Sequence, residues 1–289
     1  MDSIPISVNN WIFGNTDLES VFKRAADIDF DGIELVGEPS IYDIDQINKL
    51  KDKYNIRVPS ICGMHPGPEE DDLRALSHYK AQEREKAVEY VKKCVDLAAG
   101  VGARSVLIVP SLVGQPQFFS SKEEDINHAI SSIKKAAKYA ERNEIILTIE
   151  PINRYEVGLI NSIEDAVNMV KKINNDFVKT MGDTFHMQIE EGEGISNAIR
   201  RAGSYLQHLH VADNTRQAPG MGTMPWREII RALYDINYPG SISLEPLPKG
   251  KAPYDARNGN IPAEQLDNEL KFGYEYLKKE MKIIKNHLS

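Results

Sequence analysis

Four side chains able to hold a divalent cation stand at the ends of four successive apolar runs. Glu150 ends LTIEP, Asp183 ends TMGDT, His210 sits in HLHVAD and Glu245 in SLEP. Their separations are 33, 27 and 35 residues. Each step is about one strand-plus-helix unit, so the four groups would converge if each run is a strand of one barrel. Three carboxylates and an imidazole make a hard, oxygen-rich donor set. It suits Mn²⁺ or Mg²⁺, with Co²⁺ or Ni²⁺ as substitutes, and zinc also accepts such ligands. Without a cation, three crowded carboxylates would repel and raise one another's pKa values. Taken singly, a glutamate at a strand end reads as a solvated or salt-bridged residue. A histidine in an apolar strand reads as a hydrogen-bonded core residue. Four in phase on consecutive runs are much harder to read that way.

Three more polar residues follow these runs in what read as loops. Glu156 lies in EPINRYE, His186 in DTFH and Arg216 in HVADNTR. At a barrel mouth such groups can hydrogen-bond the hydroxyl and carbonyl oxygens of a sugar. The plainer alternative is a loop salt bridge between Glu156 and Arg216. His208 shares the face of His210 by strand alternation, one layer deeper, and reads as a supporting or core histidine.

The elements that would position these groups repeat along the whole chain. Apolar runs cover 4–11, 32–36, 57–63, 105–110, 145–151, 178–183, 206–212 and 241–246. Continuous aliphatic stretches such as SVLIV and IILTI suit strands buried on both faces. Amphipathic patterns alternate with them over 17–28, 43–54, 79–99, 122–142, 163–173, 195–202, 226–236 and 263–287. Ser162 with Asp165 reads as a capped helix start. Eight such units predict an α/β fold, a single (β/α)₈ TIM barrel over residues 1–289. A doubly wound sheet ranks second, because no break in composition separates two halves. Residues 248–262 read as a loop.

Composition narrows the function. Lys plus Arg is 35 against 43 for Asp plus Glu, a net charge of −8, which argues against gripping nucleic acid or an anionic membrane. Cys62 and Cys94 are the only cysteines, so a disulfide framework and CxxC metal sites are excluded. The start MDSIPISVNNW lacks a basic region followed by a long apolar run, and no stretch approaches 18 apolar residues. The expectation is a soluble cytoplasmic protein. An abasic-site endonuclease would need more His and Asp ligands and a basic groove than seven histidines and this charge provide. A non-catalytic sugar binder would not need both Glu150 and Glu245. GMGTMP reads as a turn entering the helix at Trp226 rather than a phosphate cradle, which favours an unphosphorylated sugar.

EPINRYE, GDTFH, HLHVADNTRQAPGMG and SLEP resemble the motifs of the ketose 3-epimerases. That group includes D-tagatose and D-psicose 3-epimerases within the xylose-isomerase-like barrel superfamily. The likeness is concentrated in residues 145–248. It implies that Glu150, Asp183, His210 and Glu245 bind a divalent metal, most readily Mn²⁺, with Mg²⁺ or Co²⁺ as alternatives. It implies that Glu150 and Glu245 also form the acid/base pair, and that Glu156, His186 and Arg216 hold the O1–O3 end of a ketose. The implied reaction is inversion at C3 through a cis-enediolate, with the proton leaving and returning on opposite faces. The same groups could run a keto-sugar isomerase or a 3-keto-sugar lyase. Trp11, Phe13, Glu38 and His65 would shape the pocket for the far end of the sugar. The resemblance also implies a homodimer or homotetramer.

Overall fold

The computed structural model describes residues 3–63, 67 and 69–288. His65 lies outside them. Eight parallel strands close a barrel in the order of the chain: β1 Ile6–Asn9, β2 Gly32–Val36, β3 Ser60–Cys62, β4 Ser105–Ile108, β5 Ile146–Ile149, β6 Val178–Asp183, β7 Leu206–Val211 and β8 Ile242–Leu244. The closing pair is β1 with β8, in the register Ser7 opposite Ser243 and Val8 opposite Leu244. This is the (β/α)₈ architecture expected from the eight runs, and closure removes the doubly wound alternative.

The helices are α1 Leu18–Asp27, α2 Ile44–Tyr54, α3 Ala81–Val101, α4 Lys122–Arg142, α5 Ile163–Ile173, α6 Thr184–Glu190, α7 Ile195–Ala202, α8 Trp226–Asp235, α9 Pro253–Arg257 and α10 Ala263–Leu288. Their starts follow from capping chemistry. The carboxylates of Asp17 and Asp43 and the hydroxyl of Ser121 each accept an N–H of the first turn. Ser162 and Asp165 form the reciprocal pair expected at the start of α5. Gly102 ends α3 with φ 71°, a conformation that costs glycine little.

Three expectations need correction. The first run is shorter than 4–11, because the side chain of Asn9 accepts the Trp11 N–H and the chain turns into a 3₁₀ helix, Asn10–Phe13. Residues 248–262 are not all loop, since α9 lies within them. His186 is on a helix, not in a loop: Asp183 both ends β6 and caps α6 through the Phe185 N–H.

The core is the layer between strands and helices, rich in Val, Ile, Leu and Ala. The barrel interior is more polar, with Ser7, Ser60, Thr148, His208 and Ser243 all buried. At the N-terminal mouth, small residues including Ser7, Gly32, Ser105 and Ser241 leave a cavity of about 740 Å³ that reaches His208. The ladder between β6 and β7 carries one irregularity. Thr180 faces Leu206 and Met181 faces His208, so β7 has one extra residue, Gln207. Beyond it Asp183 and His210 are direct neighbours. Among the described residues no helix is long and apolar enough to cross a membrane.

Candidate active site

The C-terminal ends of β5 to β8 bring the four expected ligands to one place. Glu150 and Glu245 each lie one residue beyond their strand, Asp183 is the last residue of β6, and His210 is the penultimate residue of β7. All four are buried. Glu150, Asp183 and His210 each offer an atom within 4.8 Å of the other two. Glu245 is adjacent: its Oε2 lies 3.4 Å from His210 Nδ1, while Glu150 Oε1 lies 3.7 Å from the same nitrogen.

Glu245 is turned toward two donors. The Trp11 indole N–H donates to Oε2 at 3.0 Å, and Arg216 Nη2 to Oε1 at 2.5 Å. Arg216 also reaches Asp183 Oδ2 through Nη1 at 2.7 Å and stacks its guanidinium 4.8 Å above the Phe185 ring. Thus Arg216 pairs with two carboxylates of the cluster and not with Glu156, which removes the loop salt bridge as its explanation. Its backbone has φ 63°, an uncommon conformation for a side-chain-bearing residue. Asp213 imposes that turn. Its carboxylate accepts from the N–H groups of Asn214, Gly220 and Met224 and from the Trp226 indole, and its carbonyl accepts the Arg216 N–H. GMGTMP is therefore a turn, as read from the sequence. A side chain at Gly222 would meet Asp213 Oδ1 at 2.1 Å, so this turn requires glycine there.

His186 and Glu156 are joined by Asn153, a residue the motif reading did not single out. Its amide nitrogen lies 2.8 Å from His186 Nδ1 and donates to Glu156 Oε1 at 2.9 Å. His186 Nε2 faces Asp183 Oδ2 at 3.5 Å.

A second residue escaped notice in the sequence. Glu34, in the middle of β2, is completely enclosed. Its Oε2 lies 2.8 Å from His210 Nε2 and its Oε1 3.1 Å from His208 Nε2. Asn9 donates to Oε2 at 3.3 Å. The signal was available: a carboxylate between Ile33 and Leu35 in a strand buried on both faces needs partners. His208 has the supporting role assigned to it, touching Glu34 and, at 3.5 Å, Ser60 Oγ.

Of the far-end residues, Trp11 reaches the site through its indole. Phe13 is a core residue instead, buried with Arg24 stacked 4.5 Å from its ring. Glu38 is held by Arg74 in a two-point ion pair at 2.6 and 2.8 Å.

Burial dominates the proton affinities, and charge decides where it loses. Burial, with Asp183 and Glu245 nearby, pushes the Glu150 carboxyl well above the usual range, against the pull of His210. Burial would also raise Asp183, but Arg216 and His186 hold it well below. Burial disfavours an imidazolium at His210, yet Glu245 and Glu34 raise its pKa well above the ordinary value. His186 is lowered, because burial outweighs Asp183. Burial works against the Glu34 carboxylate too, and the two histidines overcome it. The cluster is rich in anionic donors, and its burial disfavours the charged form of Glu150. Its three clustered atoms, with Glu245 beside them, fit a hard divalent cation.

Comparison with known proteins agrees with this geometry. Over 125 residues the chain is 46% identical to a D-psicose 3-epimerase of Ruminiclostridium cellulolyticum, a match covering 43% of this chain and 42% of that protein. The chain thus spans about two-fifths of the length of the curated relatives it matches at this level. It is 24% identical over 263 residues to a 3-dehydro-D-guloside 4-epimerase of Escherichia coli, covering 89% of this chain and 97% of the relative. The crystal structure of a D-psicose 3-epimerase with D-tagatose from Clostridium cellulolyticum superposes with a TM-score of 0.83 at 27% identity, over 96% of this chain and 99% of the other. The family model described as "Xylose isomerase-like TIM barrel" matches residues 22–275, nearly the whole barrel. The chain belongs to the xylose isomerase-like TIM barrel family.

Proposed function

We propose that the protein is a metal-dependent ketose 3-epimerase acting on a free sugar, in one barrel domain over residues 1–289. The observation that carries the reading is the pair of buried glutamates, Glu150 and Glu245, both lying toward Nδ1 of His210. A carbon acid inverted by two bases needs such a pair, one on each face of the substrate. Glu150, Asp183, His210 and Glu245 would hold a divalent ion, most readily Mn²⁺, with Mg²⁺ or Co²⁺ as alternatives, which supplies Lewis-acid polarisation of a bound carbonyl.

The remaining work belongs to side chains. One glutamate takes the C3 proton and the other delivers a proton to the opposite face of the enediolate. Each serves as base in one direction and as acid in the other. Arg216 is the nearest fixed positive charge and suits the negative charge that develops on the enediolate oxygens. His186 and Glu156, locked together by Asn153, offer donors and acceptors for O1 to O3. A free rather than phosphorylated sugar is favoured because the Gly220 N–H, which a phosphate could otherwise use, is committed to Asp213. The D-psicose 3-epimerase relatives support C3 of a ketose as the reacting carbon.

A second reading is C4 epimerisation of a 3-keto glycoside. The 3-dehydro-D-guloside 4-epimerase favours it, because its match extends over nearly all of its own length. The proton again lies beside a carbonyl, so the same two glutamates serve. One experiment separates the readings. The Mn²⁺-loaded protein is incubated in D₂O with psicose, fructose, tagatose, ribulose, xylulose and 3-keto glycosides, freed of metal, and read by NMR. Deuterium at C3 with a new C3 epimer is expected. Exchange confined to C4 of the keto glycosides selects the second reading. No exchange beside the carbonyl of any of them overturns both. A homodimer or homotetramer in the cytoplasm completes the proposal. Cys62 and Cys94 are buried and not joined in a disulfide, which is compatible with a reducing compartment, and light scattering of the purified protein measures the assembly.

A further inference from the structure

The expected metal ligands all come from the last four strands; Arg216 holds two of them from the loop after β7, and further contacts reach them from β2 and from the turn after β1. Glu34 on β2 reaches across the barrel interior to His210 on β7. Asn9, opposite Glu34 in the β1–β2 ladder, donates to Glu34 through its amide nitrogen. The carbonyl oxygen of the same side chain caps the turn that carries Trp11. Trp11 donates to Glu245, which lies 3.4 Å from Nδ1 of His210. The path His210–Glu34–Asn9–Trp11–Glu245 is therefore closed on itself.

An imidazole can be held in this way for a reason. Its two nitrogens are not interchangeable once one of them is engaged. A carboxylate at Nε2 keeps the proton there and leaves the lone pair on Nδ1. In this structure Nδ1 is the nitrogen that faces Glu150 and Glu245. With no anion at Nε2, the ring could adopt either tautomer and turn over about its χ2 axis, and only some of those states present a lone pair to a cation. Glu34 is bonded at Oε2 by Asn9 and His210, and its Oε1, which has no hydrogen bond, lies 3.1 Å from His208 Nε2.

We propose that Glu34 is the positioning residue of the cation site, fixing the tautomer and orientation of His210, and that His208 serves to hold Glu34 in place. This inference rests on the reading of Glu150, Asp183 and His210 as a cation-binding group. Carboxylates that orient a metal-bound histidine typically change metal affinity 10- to 100-fold when removed. A carboxylate that merely stabilised the barrel would leave both affinity and tautomer unchanged in a folded variant.

The test uses the full chain and no sugar. Mn²⁺ binding to the wild type, Glu34→Gln and Glu34→Asp is titrated by electron paramagnetic resonance, with folding checked by circular dichroism. In parallel, two-bond ¹H–¹⁵N spectra of the Mg²⁺-loaded proteins report the histidine tautomers, and a His208→Gln sample separates the His208 and His210 signals. The wild type is expected to bind Mn²⁺ and to carry the His210 proton on Nε2. Glu34→Gln is expected to lose about 10- to 100-fold in affinity and to show a mixture of His210 tautomers. Glu34→Asp, which keeps the charge on a shorter arm, is expected to recover part of the affinity. A folded Glu34→Gln with wild-type affinity overturns the inference and leaves the metal reading standing. A His210 proton on Nδ1 in the loaded wild type overturns it without any variant, so a Glu34→Gln that fails to fold still leaves a decision. A wild type that binds no Mn²⁺ overturns the metal reading and this inference together.

Discussion

Both oxygens of Glu245 are engaged, one by Arg216 and one by the Trp11 indole, whereas Glu150 has the His210 ring at 3.7 Å as its nearest ionic neighbour. The two glutamates are chemically unequal although the proposed reaction asks the same of them. Replacing either with Gln removes a proton carrier and is expected to lower kcat by about 10²- to 10⁴-fold with the fold intact by circular dichroism. Near-normal turnover by either variant would exclude the two-base mechanism. Trp11→Phe keeps an aromatic ring but loses a hydrogen bond to a charged oxygen, a loss of about 1.5–3 kcal/mol. The expected result in steady-state kinetics is a fall in kcat of about tenfold or more with little change in KM. At this scale the sequence was legible where spacing carried the information. Glu150, Asp183, His210 and Glu245 stand one unit apart, and parallel strands must end at the same mouth. Glu34 was hidden because its run was read for apolar character and its partners lie 174 and 176 residues away in the chain. Trp11 needed a 3₁₀ turn that no periodicity announces.

The loop after β7 shows what one element contributes. Asp213 gathers four N–H donors and so builds the turn on which Arg216 stands in a left-handed conformation. Asp213→Ala would leave those donors without their acceptor. Unsatisfied buried donors cost about 1–3 kcal/mol each, and solvent can reach some of them. The expected loss in chemical denaturation is therefore at least about 3 kcal/mol, with a disproportionate fall in turnover because Arg216 is released. Loss of stability with unchanged turnover in the folded fraction would show that Arg216 keeps its place without the clamp. The turn itself was readable from GMGTMP, since glycines ahead of a helix mark one. α6 was not, because it has only seven residues and its cap, Asp183, also ends the preceding strand. The long helices matched the amphipathic patterns closely, α4 and α5 to the residue.

Across the whole molecule, cation binding should be linked to both protons and stability. In the cation-free protein His210 and Glu150 both have raised pKa values, so near neutral pH each tends to hold a proton where a ligand lone pair is needed. A cation must displace those protons, so affinity rises with pH. Titration calorimetry from pH 6 to 8 is expected to show Mn²⁺ binding that strengthens with pH and releases protons to the buffer. Binding that is flat across this range would show that these two groups are not displaced. The native state alone presents the assembled site. Mn²⁺ at 100 times its Kd should therefore add about 2.7 kcal/mol of stability, and a chelator should lower Tm by the corresponding amount. The barrel as a whole was legible because strands buried on both faces read as unbroken apolar runs, and eight of them alternate with amphipathic segments without a break in composition. Its polar interior was less so: Ser7, Ser60, Thr148 and Ser243 look like ordinary strand residues until closure turns them inward.

The extra residue in β7 bears on how this chain can change length. Side chains alternate along a strand, so a shift of one position exchanges inside for outside. Gln207 is the residue without a partner on β6, and the positions after it, including His210 beside Asp183, pair one for one. Insertions and deletions between α6 and α7 fall in a surface connection and can be absorbed there. Loss of Gln207 alone would leave His208, Leu209 and His210 paired with β6 as they are, whereas loss of Leu209 would carry the His210 imidazole to the wrong wall of the barrel. From His208 onward the count of residues in β7 is held fixed by the strand it runs beside.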